Sequence, residues 1–184
     1  MPIKDKKIIV TGPVGAGKTT AIQTISDIQI VNTNEAASDA TKNKKPQTTV
    51  AMDYGLVSIS QQERIHLYGT PGQERFDFMW DVLSVGALGL ILLLDNSRPN
   101  PQQDLELYVR SFKDVIEKGQ LVIGVTMFDK TANPTLDDYR QWIDVLSINA
   151  PVFSVDARDH ADVHSLVQVL ASMLEVEERS SAVA

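Results

Sequence analysis

The sequence predicts an α/β fold, a mostly parallel sheet covered by helices on both faces, and three observations carry that expectation. Short apolar, β-rich runs alternate along the chain with segments of helical periodicity. One of those runs, Ala87-Leu88-Gly89-Leu90-Ile91-Leu92-Leu93-Leu94, carries no polar side chain, as a central strand buried on both faces requires. A glycine-rich turn separates the first strand-like run from the first helical segment. Strands alternating with helices imply crossover connections, which place helices on both faces of a parallel sheet.

In chain order, the strands expected are residues 6–11, 50–60, 64–68, 88–94, 121–126 and 152–155, six in all. Only Gln61-Gln62-Glu63 separates the second from the third, so these two form an antiparallel hairpin at one edge of the sheet. Ile28-Gln29-Ile30-Val31 offers a further short strand, whereas residues 32–47, rich in Asn, Thr, Ser, Lys and Ala, read as exposed loop. Asn100-Pro101 supplies a helix N-cap followed by proline at the first helical position, and Thr135-x-x-Asp138 resembles a capping box ahead of Tyr139, Trp142, Ile143 and Leu146. Residues 1–184 read as one domain, with 176–184 a helix end and flexible tail.

Composition excludes several classes of function. A chain of 184 residues, 43% hydrophobic, buries a full core without staples, and the absence of cysteine removes disulfides and thiolate metal sites. A formal charge of −7 repels nucleic acid and anionic membrane alike. Met1-Pro2-Ile3-Lys4-Asp5 lacks an apolar signal region, Pro2 stands where myristoylation needs glycine, and Ser181-Ala182-Val183-Ala184 contains no prenylatable cysteine. The run 87–94 is too short to span a bilayer. A cytoplasmic monomer without an anchor of its own is the expectation.

The chemistry is announced by Gly12-Pro13-Val14-Gly15-Ala16-Gly17-Lys18-Thr19, which satisfies G-x-x-x-x-G-K-[ST] between the strand-like Lys7-Ile8-Ile9-Val10 and the helical Thr20-Ala21-Ile22-Gln23. This is the phosphate-binding loop of a three-layer P-loop NTPase fold. Glycines let backbone N–H groups close around phosphate oxygens, and the following helix adds its positive end. Lys18 is then placed to reach the β- and γ-phosphates, and the Thr19 hydroxyl to ligate a Mg²⁺ bridging them.

Downstream lies Tyr68-Gly69-Thr70-Pro71-Gly72-Gln73-Glu74-Arg75-Phe76, after a strand and before a helical stretch. With the phosphate loop, this resembles the Ras-like small GTPases, whose corresponding segment reads D-x-x-G-Q-E, over nearly the whole chain and in the family's order. The form G-T-P-G-Q-E looks most like a bacterial subgroup related to the gliding-motility GTPases. The resemblance implies that the Gly72 N–H binds the γ-phosphate and that Gln73 orients the attacking water. The departure is Gly69, where the family has an Asp that holds Mg²⁺ through water; Asp53 and Asp95 are the acids available to compensate. Thr48-Thr49-Val50-Ala51-Met52-Asp53-Tyr54 is similar to the T-I-G-V-D-F switch of that superfamily, which assigns Thr49, with Thr48 as the alternative, to the Mg²⁺ shell and the γ-phosphate.

The family's base-reading loop, N-K-x-D after a strand, corresponds to Thr126-Met127-Phe128-Asp129. A carboxylate at Asp129 accepts two hydrogen bonds from guanine N1–H and its 2-amino group and leaves adenine without matching donors. Thr126 retains a hydrogen-bonding hydroxyl and Met127 an apolar cover for the base. Asp156-Ala157-Arg158 matches the family's S-A-K loop, which implies that the Ala157 N–H meets guanine O6.

The expectation is a GTPase switch using GTP, GDP and Mg²⁺, with intrinsic turnover on the order of 10⁻⁴ to 10⁻² per second because no arginine is clearly placed as an internal finger. Arg64, Arg75 and Lys44 are the unranked candidates. The resemblance also implies a roadblock-type activator and an effector at the switch region. Phe78 and Val82 form a second apolar stripe beside Phe76, Met79, Trp80 and Leu83, which suits a docking regulator. A P-loop ATPase or kinase, with Asp95 as its acid, and a nucleotide-binding module without turnover are the competing readings. His160 and His164 have zinc-compatible spacing but no third ligand in sequence, and His66 reads as a packed strand residue.

Overall fold

The computed structural model describes residues 3–32, 52–73 and 77–181. Its strands are β1 (Lys4–Thr11), β2 (Val31–Asn32), β3 (Asp53–Ser60), β4 (Glu63–Gly69), β5 (Gly89–Asp95), β6 (Gln120–Thr126) and β7 (Val152–Ser154). The helices are α1 (Lys18–Ile25), α2 (Asp77–Ser84), α3 (Pro101–Ser111), α4 (Lys113–Lys118), α5 (Leu136–Val145) and α6 (His160–Ser181). Among the described residues the strands form one sheet in the order β2-β3-β4-β1-β5-β6-β7. Strands β4, β1, β5, β6 and β7 run parallel, while β3 is antiparallel to β4 as the hairpin requires.

The sheet has seven strands where the sequence suggested six. The addition is the two-residue β2, which pairs Val31 with Tyr54 and Asn32 with Asp53 outside the hairpin. So short an element leaves almost no periodic signal, and only its pairing partner reveals it. At the other end of the chain, α6 continues through the stretch read as a tail, to Ser181.

Alternation in the strands builds two cores. Ile8, Val10, Ile91, Leu93, Leu67 and Val122 face α1 and α6, where Ile22, Ile25, Leu166 and Leu170 meet them. On the other face Ile9, Leu90, Leu92, Leu94 and Ile123 pack against Trp80, Leu105, Tyr108, Phe112, Tyr139 and Ile143. The capping signals operate as read: the Asn100 side chain accepts a hydrogen bond from Gln103 N with Pro101 at the helix start, and Thr135 and Asp138 form a reciprocal capping box. Because the five parallel strands share one direction, the loops after β1, β4, β5, β6 and β7 gather at one edge, the C-terminal edge where α/β sheets bind ligands. Among the described residues no helix is long and apolar enough to cross a membrane.

Candidate functional site

The loop leaving β1 at Thr11 turns through Gly12, Gly15 and Gly17, with φ of 140°, 88° and 93°. Gly12 admits no other residue, since a Cβ there would stand 1.9 Å from the Leu93 carbonyl oxygen. Gly17 caps α1, so Lys18 opens the helix and its side chain folds back over the loop. The Lys18 ammonium donates to Gly12 O at 2.7 Å and to Pro13 O at 2.8 Å. Burial pushes its pKa down to about 8 from the ordinary 10.5, against the opposing pull of the Asp53 carboxylate. A buried ammonium over a glycine-rich turn at a helix start is the kind of group that gains most from an anion such as a polyphosphate.

The segment after β4 lies on this receptor. A Cβ at Gly72 would stand 2.7 Å from both Lys18 Nζ and Val14 N, so only glycine brings the backbone so close. Trp80 Nε1 donates to Pro71 O at 3.0 Å and Tyr108 Oη to Gly72 O at 3.3 Å, and these two aromatic side chains hold the segment in place. Thr70 is fixed to β1 through its N–H to Val10 O at 2.9 Å and its hydroxyl to Thr11 Oγ1 at 2.7 Å. Gln73 follows on the exposed side.

At the mouth of the loop the Thr19 hydroxyl donates to Asp53 Oδ2 at 2.5 Å, and Asn32 Nδ2 donates to Asp53 Oδ1 at 2.8 Å. Asp53 is buried, whereas Thr19 is exposed. Thr49, its alternative Thr48, Lys44 and Arg75 lie outside the described residues.

A cleft of about 420 Å³ opens next to Gly17 and Thr20, lined by Thr126, Met127, Asp129 and Arg158 among others. It brings together the two loops assigned to the base. The Thr126 hydroxyl lies 3.1 Å from both Ala16 O and Leu94 O, so a threonine ties the loop after β6 to the phosphate loop. Met127 takes a left-handed φ of 64°, and Lys130 N donates back to Met127 O at 3.1 Å to close the turn. Asn96 braces the same loop, donating its N–H to Thr126 O at 3.0 Å and Nδ2 to Thr131 O at 2.9 Å, while Tyr139 Oη donates to Asn96 Oδ1 at 2.8 Å. On the opposite wall Ala157 is buried, its carbonyl accepting from Thr24 Oγ1 at 2.9 Å. Arg158 bonds to Asp156 at 2.7 Å, which holds that carboxyl down at a pKa of about 2, and approaches Asp129 at 3.9 Å.

A larger groove of about 980 Å³ runs between Ile59, Gln120 and α6. Gln120 opens β6, so that groove lies at the opposite edge of the sheet from every loop above. Asp95, the acid of the ATPase or kinase reading, spends Oδ1 on its own turn, accepting from Ser97 N at 2.8 Å and Ser97 Oγ at 2.6 Å. Arg64 is held by Asp5 at 2.9 Å on the far side of the hairpin, also away from the site. His160 and His164 stack with ring centroids 5.5 Å apart, and among the described residues no three His, Cys, Asp or Glu side chains gather into a metal site.

Sequence reasoning missed Asn32, Asn96 and Tyr108, which act on site segments 21, 35 and 36 residues away, and the Trp80–Pro71 contact, which spans nine residues. Asn at a strand end signals only turn propensity, and buried aromatic residues signal only core.

Comparison with known proteins adds a family. Residues 28–181 match a family described as "Conserved hypothetical ATP binding protein". That match starts after the glycine-rich loop, so the two indications of a nucleotide come from different parts of the chain. An archaeal protein of Methanocaldococcus jannaschii, described only as uncharacterized, is 32% identical over 101 residues, 55% of this chain. The chain spans 58% of that relative's length.

Proposed function

The chain belongs to the family of conserved hypothetical ATP-binding proteins, and from that premise we propose that it binds a purine nucleoside triphosphate at the C-terminal edge of the sheet and hydrolyses the terminal phosphate as a slow switch, with guanine as the preferred base. The observation that carries this reading is the convergence of Lys18, Val14 N and Gly72 on one point, with Gly72 near enough to sense any group held by the other two. A glycine backbone set this close to the phosphate loop is placed to change position when a terminal phosphate arrives and to relax when it leaves.

In this reading the backbone from Gly12 to Thr20 wraps the phosphates, Lys18 neutralises the β- and γ-oxygens, the Gly72 N–H holds the γ-phosphate, and Gln73 orients water from the exposed side. Hard oxygen donors suit Mg²⁺, and the buried Asp53 carboxylate beside the Thr19 hydroxyl fits that ion; Thr19 would hold it, with Thr49 as the second expected ligand. When bound, Mg²⁺ neutralises charge developing on the β- and γ-phosphates. Asp129 reads the base edge, Thr126 fixes its loop, Met127 covers the ring, and Ala157 with Asp156 and Arg158 closes the other wall.

The resemblance to gliding-motility GTPases adds a roadblock-type activator and an effector as partners of a cytoplasmic monomer. Support for a docking surface comes from α2 and the residue that follows it, where Phe78, Val82 and Val85 are 53%, 61% and 74% exposed. A second reading, an ATPase, is favoured by the family's description. Titration with fluorescent GTP, GDP and ATP in Mg²⁺, followed by phosphate release, decides between them. GTP preference with release that slows in Gln73→Ala supports the switch. Preference for ATP supports the second reading, and GTP held without release reduces the protein to a binding module.

A further inference from the structure

We infer that Asp53 is the acid that anchors the divalent cation of this site, supplying from the neighbouring strand the carboxylate that Gly69 lacks; the inference rests on the phosphate-binding reading above. The register pairs Asp53 directly with Gly69 across β3 and β4. The hairpin returns the start of β3 to the same edge at which β4 ends, so a side chain at position 53 reaches the corner that a side chain at 69 would occupy. The two positions compete for that space. A Cβ at Gly69 would stand 3.1 Å from Asp53 Cβ, 3.3 Å from Asp53 Oδ2 and 2.9 Å from Ile22 Cδ1. An acid at 53 therefore sits most easily opposite glycine at 69, since any side chain there would push Asp53 or Ile22 aside by a few tenths of an ångström, and the apparent loss of a metal-linked residue becomes a relocation by one strand.

The carboxylate is already oriented. Asn32 Nδ2 occupies Oδ1 at 2.8 Å, which leaves Oδ2 directed at the Thr19 hydroxyl 2.5 Å away. That explains the two-residue β2, whose pairing of Asn32 with Asp53 delivers the amide. Burial of a carboxylate is costly without a compensating cation, and the cation that Asp53 influences in the protein itself, Lys18, is turned toward Gly12 O and Pro13 O. The Thr19 oxygen and this carboxylate are hard donors that would hold a divalent ion, which would supply the compensating positive charge. Asp95 is the alternative acid, and its Oδ1 is committed to the turn at Ser97.

The test compares release of fluorescent GDP from the full-length wild type and from Asp53→Asn, each in Mg²⁺ and in EDTA, with Mn²⁺ uptake in the presence of GDP followed by electron paramagnetic resonance. In the wild type Mg²⁺ is expected to slow release tenfold or more. In Asp53→Asn the ratio of the two rates should fall toward one, and Mn²⁺ affinity should drop at least tenfold. Wild-type protein that takes up no GDP defeats the phosphate-binding reading itself. Wild-type protein that shows the Mg²⁺ effect while Asp53→Asn retains it, or while Asp95→Asn alone abolishes it, overturns only the present inference. Should Asp53→Asn fail to fold, Fe²⁺ substituted into the wild-type GDP complex and activated with ascorbate reports the metal's position by backbone cleavage. Cuts around residues 19 and 53 support the assignment, and cuts around 95 without them overturn it.

Discussion

The Thr126 hydroxyl lies 3.1 Å from the Ala16 carbonyl oxygen, stitching the loop after β6 to the loop after β1 across 110 residues of sequence. The bond is buried and also within reach of Leu94 O, so removing it leaves carbonyls short of a donor inside the fold. Thr126→Val keeps the shape and deletes the donor. It should cost about 1 kcal/mol of stability, seen as a melting temperature lower by about 3 °C, and weaken GTP binding by about fivefold, a similar free energy.

Asp129 and Arg158 face each other at 3.9 Å across the mouth of the smaller cleft. Asp129→Asn should weaken GTP binding by about 10-fold to 100-fold, because a hydrogen bond to a charged group contributes about 1.5–3 kcal/mol, while ATP binding changes little. Competition of the two nucleotides for one fluorescent ligand measures both. Equal losses for GTP and ATP would remove Asp129 from base selection.

Lys18 gives the site a pH dependence. With its pKa lowered to about 8 in the free protein, it loses its proton as pH rises through 8, while a bound polyphosphate favours the charged form and raises that value again. Nucleotide affinity should therefore decline above pH 8, approaching a tenfold loss per pH unit at about pH 9, and binding at pH 8 should take up protons. Calorimetry in buffers of different ionisation enthalpy detects the uptake. The same shift acts oppositely on stability: the folded value lies below the ordinary 10.5, so the cost of burying this charge, present in full below pH 8, is relieved as pH rises from 8 toward 10.5.

Gly72 stands where a methyl group has no room, at 2.7 Å from two atoms of the phosphate loop. Gly72→Ala must displace the segment or the loop, and misplacement on this scale costs catalysis about 10²-fold. Single-turnover phosphate release should fall by that order while GDP affinity drops much less. Equal losses in both would mean that the substitution damages the phosphate loop itself.

Trp80 offers an internal probe, buried and hydrogen-bonded to Pro71 O at 3.0 Å. In a Trp142→Phe background it is the sole indole, and its emission should differ between GDP and a non-hydrolysable GTP analogue. Identical spectra for the two would separate α2 from the terminal phosphate.

The parts legible in the sequence are those written in local pattern. The run 87–94 announced the central strand, Gln61-Gln62-Glu63 the hairpin, and Asn100-Pro101 and Thr135-x-x-Asp138 the helix starts, each within a few residues of itself. The glycine-rich loop was legible for the same reason. Thr19 with Asp53, Asn32 with Asp53, and Tyr108 with Gly72 were not, because 34, 21 and 36 residues separate them and each contact exists only once the sheet order is known. Thr126 illustrates the boundary: its hydroxyl was visible as a hydrogen-bonding group, but its target on the phosphate loop required the fold.

The rings of Trp80, Tyr108 and Phe112 form a continuous pile, with centroids 5.0 and 5.5 Å from the indole to its two neighbours. Its near end grips the carbonyls of Pro71 and Gly72, and its far end roots at the junction of α3 and α4. Close-packed rings transmit displacement without absorbing it. A shift of a few tenths of an ångström at the near end would therefore be felt at the α3–α4 junction on the outer wall, a route by which the exterior could register, like the needle of a gauge, an occupant of the proposed site.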